Sequence, residues 1–348
     1  MINELFIIVL TVLCTLYLRW GFRVLPLEGW QILASLPVRK IGPDTWDGIN
    51  LTYYGLLSAT AYLVSIASMI ILMGSLGVPD VHIAFLAMTI LAICLPASPI
   101  IARLVEKKPF TLTVGGASFV GILLAPWIIW GAYTILKYKD AKFLVMPSLT
   151  AMVIAYTFGE GLGRLACISF GCCYGKSLDD CSPFLQNLFK NHCFVFTGKT
   201  KKIAYASGLD GKKVLPVQAL TASLFLFTAL FCTYLFLKAC HTAAFLIGVI
   251  ITQGWRVFSE TLRADYRGEG KLSTYQIMAL VSIVTAIFLT YFFPAPDVFP
   301  DLRAGLALLW NPGMIFFLIF WWIGTFLYTG LSRVTGSRVT FHVHTQRI

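Results

Sequence analysis

The sequence predicts an all-α fold, a polytopic bundle of membrane helices, and three observations carry that prediction. Hydrophobic residues make up 58% of the chain and charged residues 12%, whereas soluble domains carry about a quarter charged. Apolar stretches recur along the whole chain at about the 20-residue length that takes a helix across a hydrocarbon core of about 30 Å. They lack the apolar and polar alternation of barrel strands, so each must satisfy its backbone internally as a helix.

In chain order about nine segments qualify, near 2–18, 51–73, 81–101, 112–136, 143–158, 216–237, 242–259, 274–293 and 305–330. The first is short enough to suggest a signal peptide. It opens with Glu4 rather than a basic residue and has no small-residue cleavage pattern, and Leu13 before Cys14 is not the small residue of a lipoprotein signal, so it is read as an additional membrane helix. No internal repeat or heptad array stands out. The organisation expected is an extra N-terminal helix and loop over 1–49, a central membrane domain over 50–293 with an extramembrane loop over 176–215, and a further helix with a basic tail over 294–348. The central domain and the flanking helices make a seven-helix core with one helix added at each end.

The net charge of +11 is unevenly spread. One set of segment ends, near 19–40, 103–108, 164–213, 263–271 and 333–347, collects most of the Lys and Arg, while the other set holds Lys137, Lys139, Lys142, Lys238 and Arg303. The positive-inside rule places the basic set in the cytoplasm, but a face that holds anionic phospholipid head groups collects the same residues for a functional reason, and orientation stays open between the two. Nucleic acid is not an expected partner, because the basic residues are scattered over several membrane-edge loops instead of forming one strip.

Nine cysteines include Cys167, Cys172, Cys173, Cys181 and Cys193, with His192 close by. Paired Cys-x2-4-Cys knuckles are missing and two of the thiols are adjacent, an awkward arrangement for one tetrahedral ion, so no metal is expected, and no cofactor. A disulfide among Cys172, Cys173, Cys181 and Cys193 is an open alternative if the loop lies outside the cell. His342 and His344 in the tail read as an exposed end.

Ionisable residues at membrane depth are costly and mark function by default. Two segments have them. In GEGLGRLACISFGCCYG, residues 159–175, Glu160 and Arg164 are four apart and share a helix face. The glycines that follow permit a sharp turn whose N–H groups suit an oxyanion. In GWRVFSETLR, residues 254–263, Arg256, Glu260 and Arg263 fall on one side of a helix. There Glu260 is expected to hold both guanidinium groups while leaving net positive potential for a phosphate. Small residues over 113–121 suit close helix packing, and Pro216-Val-Gln218 and Tyr53-Tyr54-Gly55 each open a span.

The order and spacing of these motifs resemble the prolipoprotein diacylglyceryl transferases, bacterial membrane enzymes that move a diacylglyceryl group from phosphatidylglycerol to a lipobox cysteine. The resemblance runs over roughly 50–293. The family signature is Gly-Arg-x-Gly-Asn-Phe-x-Asn-Gly-Glu-x-x-Gly, and Gly163, Arg164, Gly171 and Gly175 stand at its first Gly, its Arg and its last two glycines. Arg256, Glu260 and Arg263 match its later Arg-x-x-x-Glu-x-x-Arg, followed by Arg267-Gly268 and Ser273 to Gln276; Pro216 and Gln218 match its Pro-x-Gln, and Tyr54-Gly55 its early Tyr-Gly. Ala166, Cys167, Phe170 and Cys172 replace the signature's second Gly, its two Asn and its Glu, and Phe119-Val120-Gly121 replaces a His-Gly-Gly.

The resemblance implies Arg164, Arg256 and Glu260 as catalytic residues and Tyr54, Gly171, Cys172, Gly175, Gln218 and Arg263 as substrate-binding ones. It implies a phospholipid donor, a lipoprotein-precursor or other lipid acceptor, and a place in the bacterial inner membrane. The two arginines, far apart in sequence, must then meet at the lipid boundary. Rival readings are a phospholipid-remodelling transferase with another acceptor, a covalent relay through Cys172 or Cys173, and a non-catalytic lipid-binding or transport protein.

Overall fold

The computed structural model describes residues 2–106, 114–136, 141–264, 272–295 and 298–348. Helix α1 (Ile2–Val24) leads into a hairpin of β1 (Ile32–Lys40) and β2 (Thr45–Thr52), and then α2 (Tyr53–Ser75), α3 (Asp80–Glu106), α4 (Val114–Ile135) and α5 (Ala141–Phe170) follow. The loop after α5 holds four short elements, α6 (Pro183–Phe189), β3 (Phe194–Val195), α7 (Lys202–Ser207) and β4 (Lys213–Val214). Helices α8 (Val217–Leu237), α9 (His241–Ser259) and α10 (Thr274–Phe292) precede α11 (Leu302–Leu309), α12 (Pro312–Gly330) and β5 (Leu331–Thr340).

Among the described residues nine helices, α1 to α5, α8 to α10 and α12, are long and apolar enough to cross a membrane. The protein is a polytopic helical membrane bundle, as its composition predicts. Several helix ends differ from the sequence reading, two of them with a consequence for the fold. The last segment is broken at Trp310, because the Asn311 side chain accepts the Gly313 N–H at 2.9 Å and Pro312 takes the first helical position, both start signals for a new helix. Helix α5 continues to Phe170 instead of ending near 158. Its glycines are points of close approach: a Cβ at Gly159 would lie 3.0 Å from Ser65 of α2, and one at Gly161 3.2 Å from Leu226 of α8. Small residues that let helices approach are what membrane packing requires, and α5 sits between α2 and α8 as the most buried of the spans.

The strands add a feature the sequence pattern does not predict. β1, β2 and β5 form an antiparallel sheet in that order, with Lys40 opposite Trp46 and Thr45 opposite Thr340. The sheet therefore ties the N-terminal hairpin to the C-terminal strand, and β2 itself runs across residues 49 and 50. Its shared face is polar: Asn50 is buried, and its side-chain oxygen accepts from Ser35 at 2.8 Å and Ser337 at 2.5 Å.

The spans alternate in direction. Thr52 Oγ1 donates to Gly330 O at 3.0 Å at one end of the bundle, while Lys238 Nζ meets Glu4 Oε1 at 3.1 Å and Asp301 N donates to Ser75 O at 2.8 Å at the other. The first end gathers the sheet, the start of α2, the end of α5 and its loop, the start of α8, the end of α9 and the start of α10. Most of the basic loops are at this end. Residues 107–108, 137, 139, 267 and 271 of the charge pattern lie outside the described residues, as does Gly268.

Gly305 of α11 faces the backbone of α2, where a Cβ would run into the Ile71 carbonyl and lie 3.0 Å from Ser75 N. Gly305→Ala should therefore lower stability by about 1–3 kcal/mol through overpacking. Gly324→Ala in α12, which meets nothing within 4 Å, should leave it unchanged or slightly raised. Thermal unfolding in detergent, followed by tryptophan fluorescence, compares the two.

Candidate functional site: a shared carboxylate at the end of the bundle

Tyr156, Glu160 and Arg164 recur every four residues along α5 and so form one stripe. The Tyr156 hydroxyl donates to Glu160 Oε2 and Arg164 Nη2 donates to Glu160 Oε1. From α9, Arg256 Nη2 donates to both carboxylate oxygens, at 2.7 and 2.8 Å, and to the Tyr156 hydroxyl at 3.1 Å. The Glu160 side chain is only 2% exposed, so the ion pairs lie out of water. Two guanidinium charges against one carboxylate leave one net positive charge. The Nε atoms of Arg164 and Arg256 are buried without a hydrogen-bond partner among the described residues, and buried donors in this condition are uncommon in native proteins.

The pairing of Arg256 differs from the sequence reading. Helix α9 stops at Ser259 and Glu260 opens a 3-10 turn; Glu260 still follows Arg256 by one turn, its N–H bonded to Arg256 O, but Arg263 is extended, so the stack of three is lost. Glu260 Oε1 lies 3.9 Å from Arg263 Nη1, too far for a hydrogen bond. Glu160, across the helix interface, holds Arg256 instead.

The turn after α5 is built against the end of α9. Gly171 has φ +71°, which glycine adopts freely, and a Cβ there would also crowd Lys201 Cβ at 3.0 Å. Its N–H donates to Ile168 O at 3.1 Å and that of Cys172 to Cys167 O at 3.0 Å. These two N–H groups cap α5 and are not presented to an oxyanion, a departure from the turn the sequence suggests. Gly175 pairs antiparallel with Arg263, flanked by Lys176 N to Leu262 O at 3.0 Å and Ala264 N to Tyr174 O at 3.2 Å. Only glycine fits at 175, since a Cβ would lie 2.5 Å from Leu215 O. Gln218 at the start of α8 donates from Nε2 to Cys172 O at 2.9 Å, so its amide braces the turn. The Tyr54 ring packs edge-on against Phe170, with centroids 5.6 Å apart.

Lys201, which the sequence offers only as one more loop charge, is fully buried and donates from Nζ to Ser169 O at 2.6 Å and Leu25 O at 3.1 Å. It serves a C-terminal carbonyl of α5 and ties it to the end of α1, a favourable place for a cation.

A family model described as prolipoprotein diacylglyceryl transferase matches residues 45–292, more than half of the chain. The chain belongs to this family. It is also similar to a phosphatidylglycerol–prolipoprotein diacylglyceryl transferase of Clostridium tetani, 28% identical over 178 residues, which cover 48% of this chain and 62% of that relative. The alignment thus spans less than two thirds of the relative's length.

The match to the diacylglyceryl transferase family takes in α2 to α10 and the whole Glu160 cluster. Arg164, Arg256, Glu260 and Arg263 all lie at the one bundle end, with Tyr54, Gly171, Cys172, Gly175 and Gln218 around the adjoining turn. The sequence reading missed Tyr156, whose four-residue spacing before Glu160 was the available signal, and Lys201, which had none. None of the nine cysteines is in a disulfide. Cys167 and Cys173 beside it, together with burial, hold the Cys172 thiol well above its ordinary range, so it stays protonated near neutral pH and is a poor nucleophile for a relay.

Glu160→Gln leaves two buried cations without their anion and should cost about 3–5 kcal/mol, whereas Glu260→Gln should cost less; thermal unfolding in detergent at neutral pH ranks them. Burial pushes the Lys201 ammonium down to about 8 from its ordinary 10.5, against a partial rise from Glu28. Below about pH 8 both folded and unfolded chains carry this charge and the folded state bears the burial penalty, and above 10.5 neither is charged. The stability of the parent relative to Lys201→Met should therefore grow as pH rises through that window. A flat difference in unfolding temperature would contradict the assignment.

Proposed function

We propose that this diacylglyceryl transferase family member moves a diacylglyceryl group from an anionic phospholipid such as phosphatidylglycerol to the cysteine thiol of a lipoprotein precursor, in the bacterial inner membrane. The observation that carries the reading is the buried cluster in which Arg164 and Arg256 share Glu160 and keep a net positive charge. In the transfer a sulfur–carbon bond forms at the glyceryl carbon as the carbon–oxygen bond to phosphate breaks. The electron pair leaves on the phosphate oxygen and the thiol proton is released to solvent. The phosphate goes from a diester with one negative charge to a monoester with about two, so charge grows where the guanidinium groups stand. Fixed cations in a poorly hydrated site stabilise such growth far more than water does. Glu160 holds both arginines in place without cancelling both, and Arg263, its backbone fixed by pairing with Gly175 and its guanidinium 3.9 Å from Glu260, lies near Arg164.

A second reading keeps the donor and changes the acceptor. Cys167, Phe170 and Cys172 stand where the family signature has polar groups, so the acceptor side is the more altered half.

Purified protein incubated with head-group-labelled phosphatidylglycerol distinguishes these readings. Release of glycerol phosphate only in the presence of a lipobox peptide supports the thiol acceptor, release without peptide supports another acceptor, and lipid retention with no release marks a binding protein. Arg164→Lys and Arg256→Lys keep a positive charge but lose the guanidinium fork, and each should lower the rate by about a hundredfold or more while the protein remains folded.

A further inference from the structure

The sulfurs of Cys167, Cys172 and Cys173 lie within 4.8 Å of one another. Adjacent cysteines seldom face one ion, which is why the sequence argues against a metal here. The backbone removes that objection. Gly171 and Cys173 both take positive φ, +71° and +59°, and a non-glycine residue in that region is uncommon. With both residues in this region, the two neighbouring thiols come to the sulfur of Cys167 on the last turn of α5.

We propose that Cys167, Cys172 and Cys173 form a three-thiolate site for a thiophilic d10 ion, Cu+ or Zn2+. Three sulfurs bound to one ion at about 2.3 Å lie about 4 Å apart, with water as the fourth ligand in the case of Zn2+, so the thiols need only sub-ångström adjustment. Thiolate donors select soft ions of this kind. All three residues are half-buried and outside any disulfide. Arg164 lies close to Cys167 and Cys173 and reduces the negative charge that three thiolates leave beside a Zn2+ or Cu+ ion. Binding forms three sulfur–metal bonds and releases three thiol protons to solvent. The other loop thiols are engaged elsewhere, Cys181 with Ser177 O at 3.2 Å and Cys193 with Lys190 O at 3.8 Å. An ion held by the three would staple the end of α5 to the turn that leads to Gly175 and its pairing with Arg263.

The test uses full-length protein in detergent, reduced and handled without oxygen, and loaded separately with Zn2+ or with buffered Cu+. After desalting, elemental analysis should find one ion per chain in at least one arm, and that ion should be lost from Cys167→Ser and from Cys173→Ser but kept by the Cys181→Ser, Cys193→Ser double variant. A readout independent of variant folding is alkylation of the parent followed by peptide mass analysis, in which the loaded protein should protect Cys167, Cys172 and Cys173 while Cys181 and Cys193 still react. Failure of both ions to remain bound, protection that falls on other cysteines, or a disulfide within the trio that persists under reduction overturns the proposal.

Discussion

One buried carboxylate shared by two arginines constrains the rest of this protein. A charged group at membrane depth costs several kcal/mol by insertion scales, so α5 tolerates Glu160 only because Arg164, one turn on, and Arg256, from α9, meet it there. The dependence runs both ways. Two unit positive charges about 4 Å apart repel by about 4 kcal/mol at an effective dielectric of 20, and the carboxylate between them is what allows the guanidinium groups to be neighbours. The packing of α5 follows from the same need. Gly159 and Gly161 bring α2 and α8 close around this helix, and a polar stripe with apolar neighbours on its flanks is kept from lipid.

The turn after α5 is held as firmly as the charges. Lys201 reaches from the extramembrane loop to Ser169 O and Leu25 O, Gln218 holds Cys172 O, and Gly175 pairs with Arg263. Each bond joins an element on one side of the site to an element on another. The loop is therefore a clamp across the helix ends, and its position fixes where Arg263 stands relative to the Glu160 cluster. The sheet adds a second tie at the same end, because β2 lies between β1 and β5 and leads directly into α2.

Most of the bundle was legible because apolar length alone specifies a membrane helix. The breaks were less so. Asn311-Pro312 carries ordinary helix-start chemistry, yet it sits inside a run apolar enough to read as one span. The sheet was hidden for a different reason: its shared face is lined by Ser35, Asn50 and Ser337, so the apolar alternation that announces a strand is absent. At the site, the pairing within one helix, Glu160 with Arg164, followed from four-residue spacing. The pairing between helices, Glu160 with Arg256, could not, since it depends on which faces of α5 and α9 meet. Spacing favoured Glu260 as the partner, and Glu260 does follow Arg256 by one turn, yet the Arg256 guanidinium hydrogen-bonds to Glu160 and Tyr156 across the interface.

The pattern of donors explains how two arginines can share one acid and keep a net charge. A guanidinium group carries five N–H donors, and Glu160 is engaged through Nη2 by both Arg164 and Arg256. The carboxylate therefore fixes the position of each group while occupying one corner of it, and the Nε donors remain unmatched among the described residues. If Glu160 instead neutralised a single arginine through two parallel bonds, that fork would be spent and the other cation would be left without an anchor. Sharing one acid between two arginines keeps both rigid and keeps their charge in excess, which is the property the proposed phosphate-bearing leaving group would require.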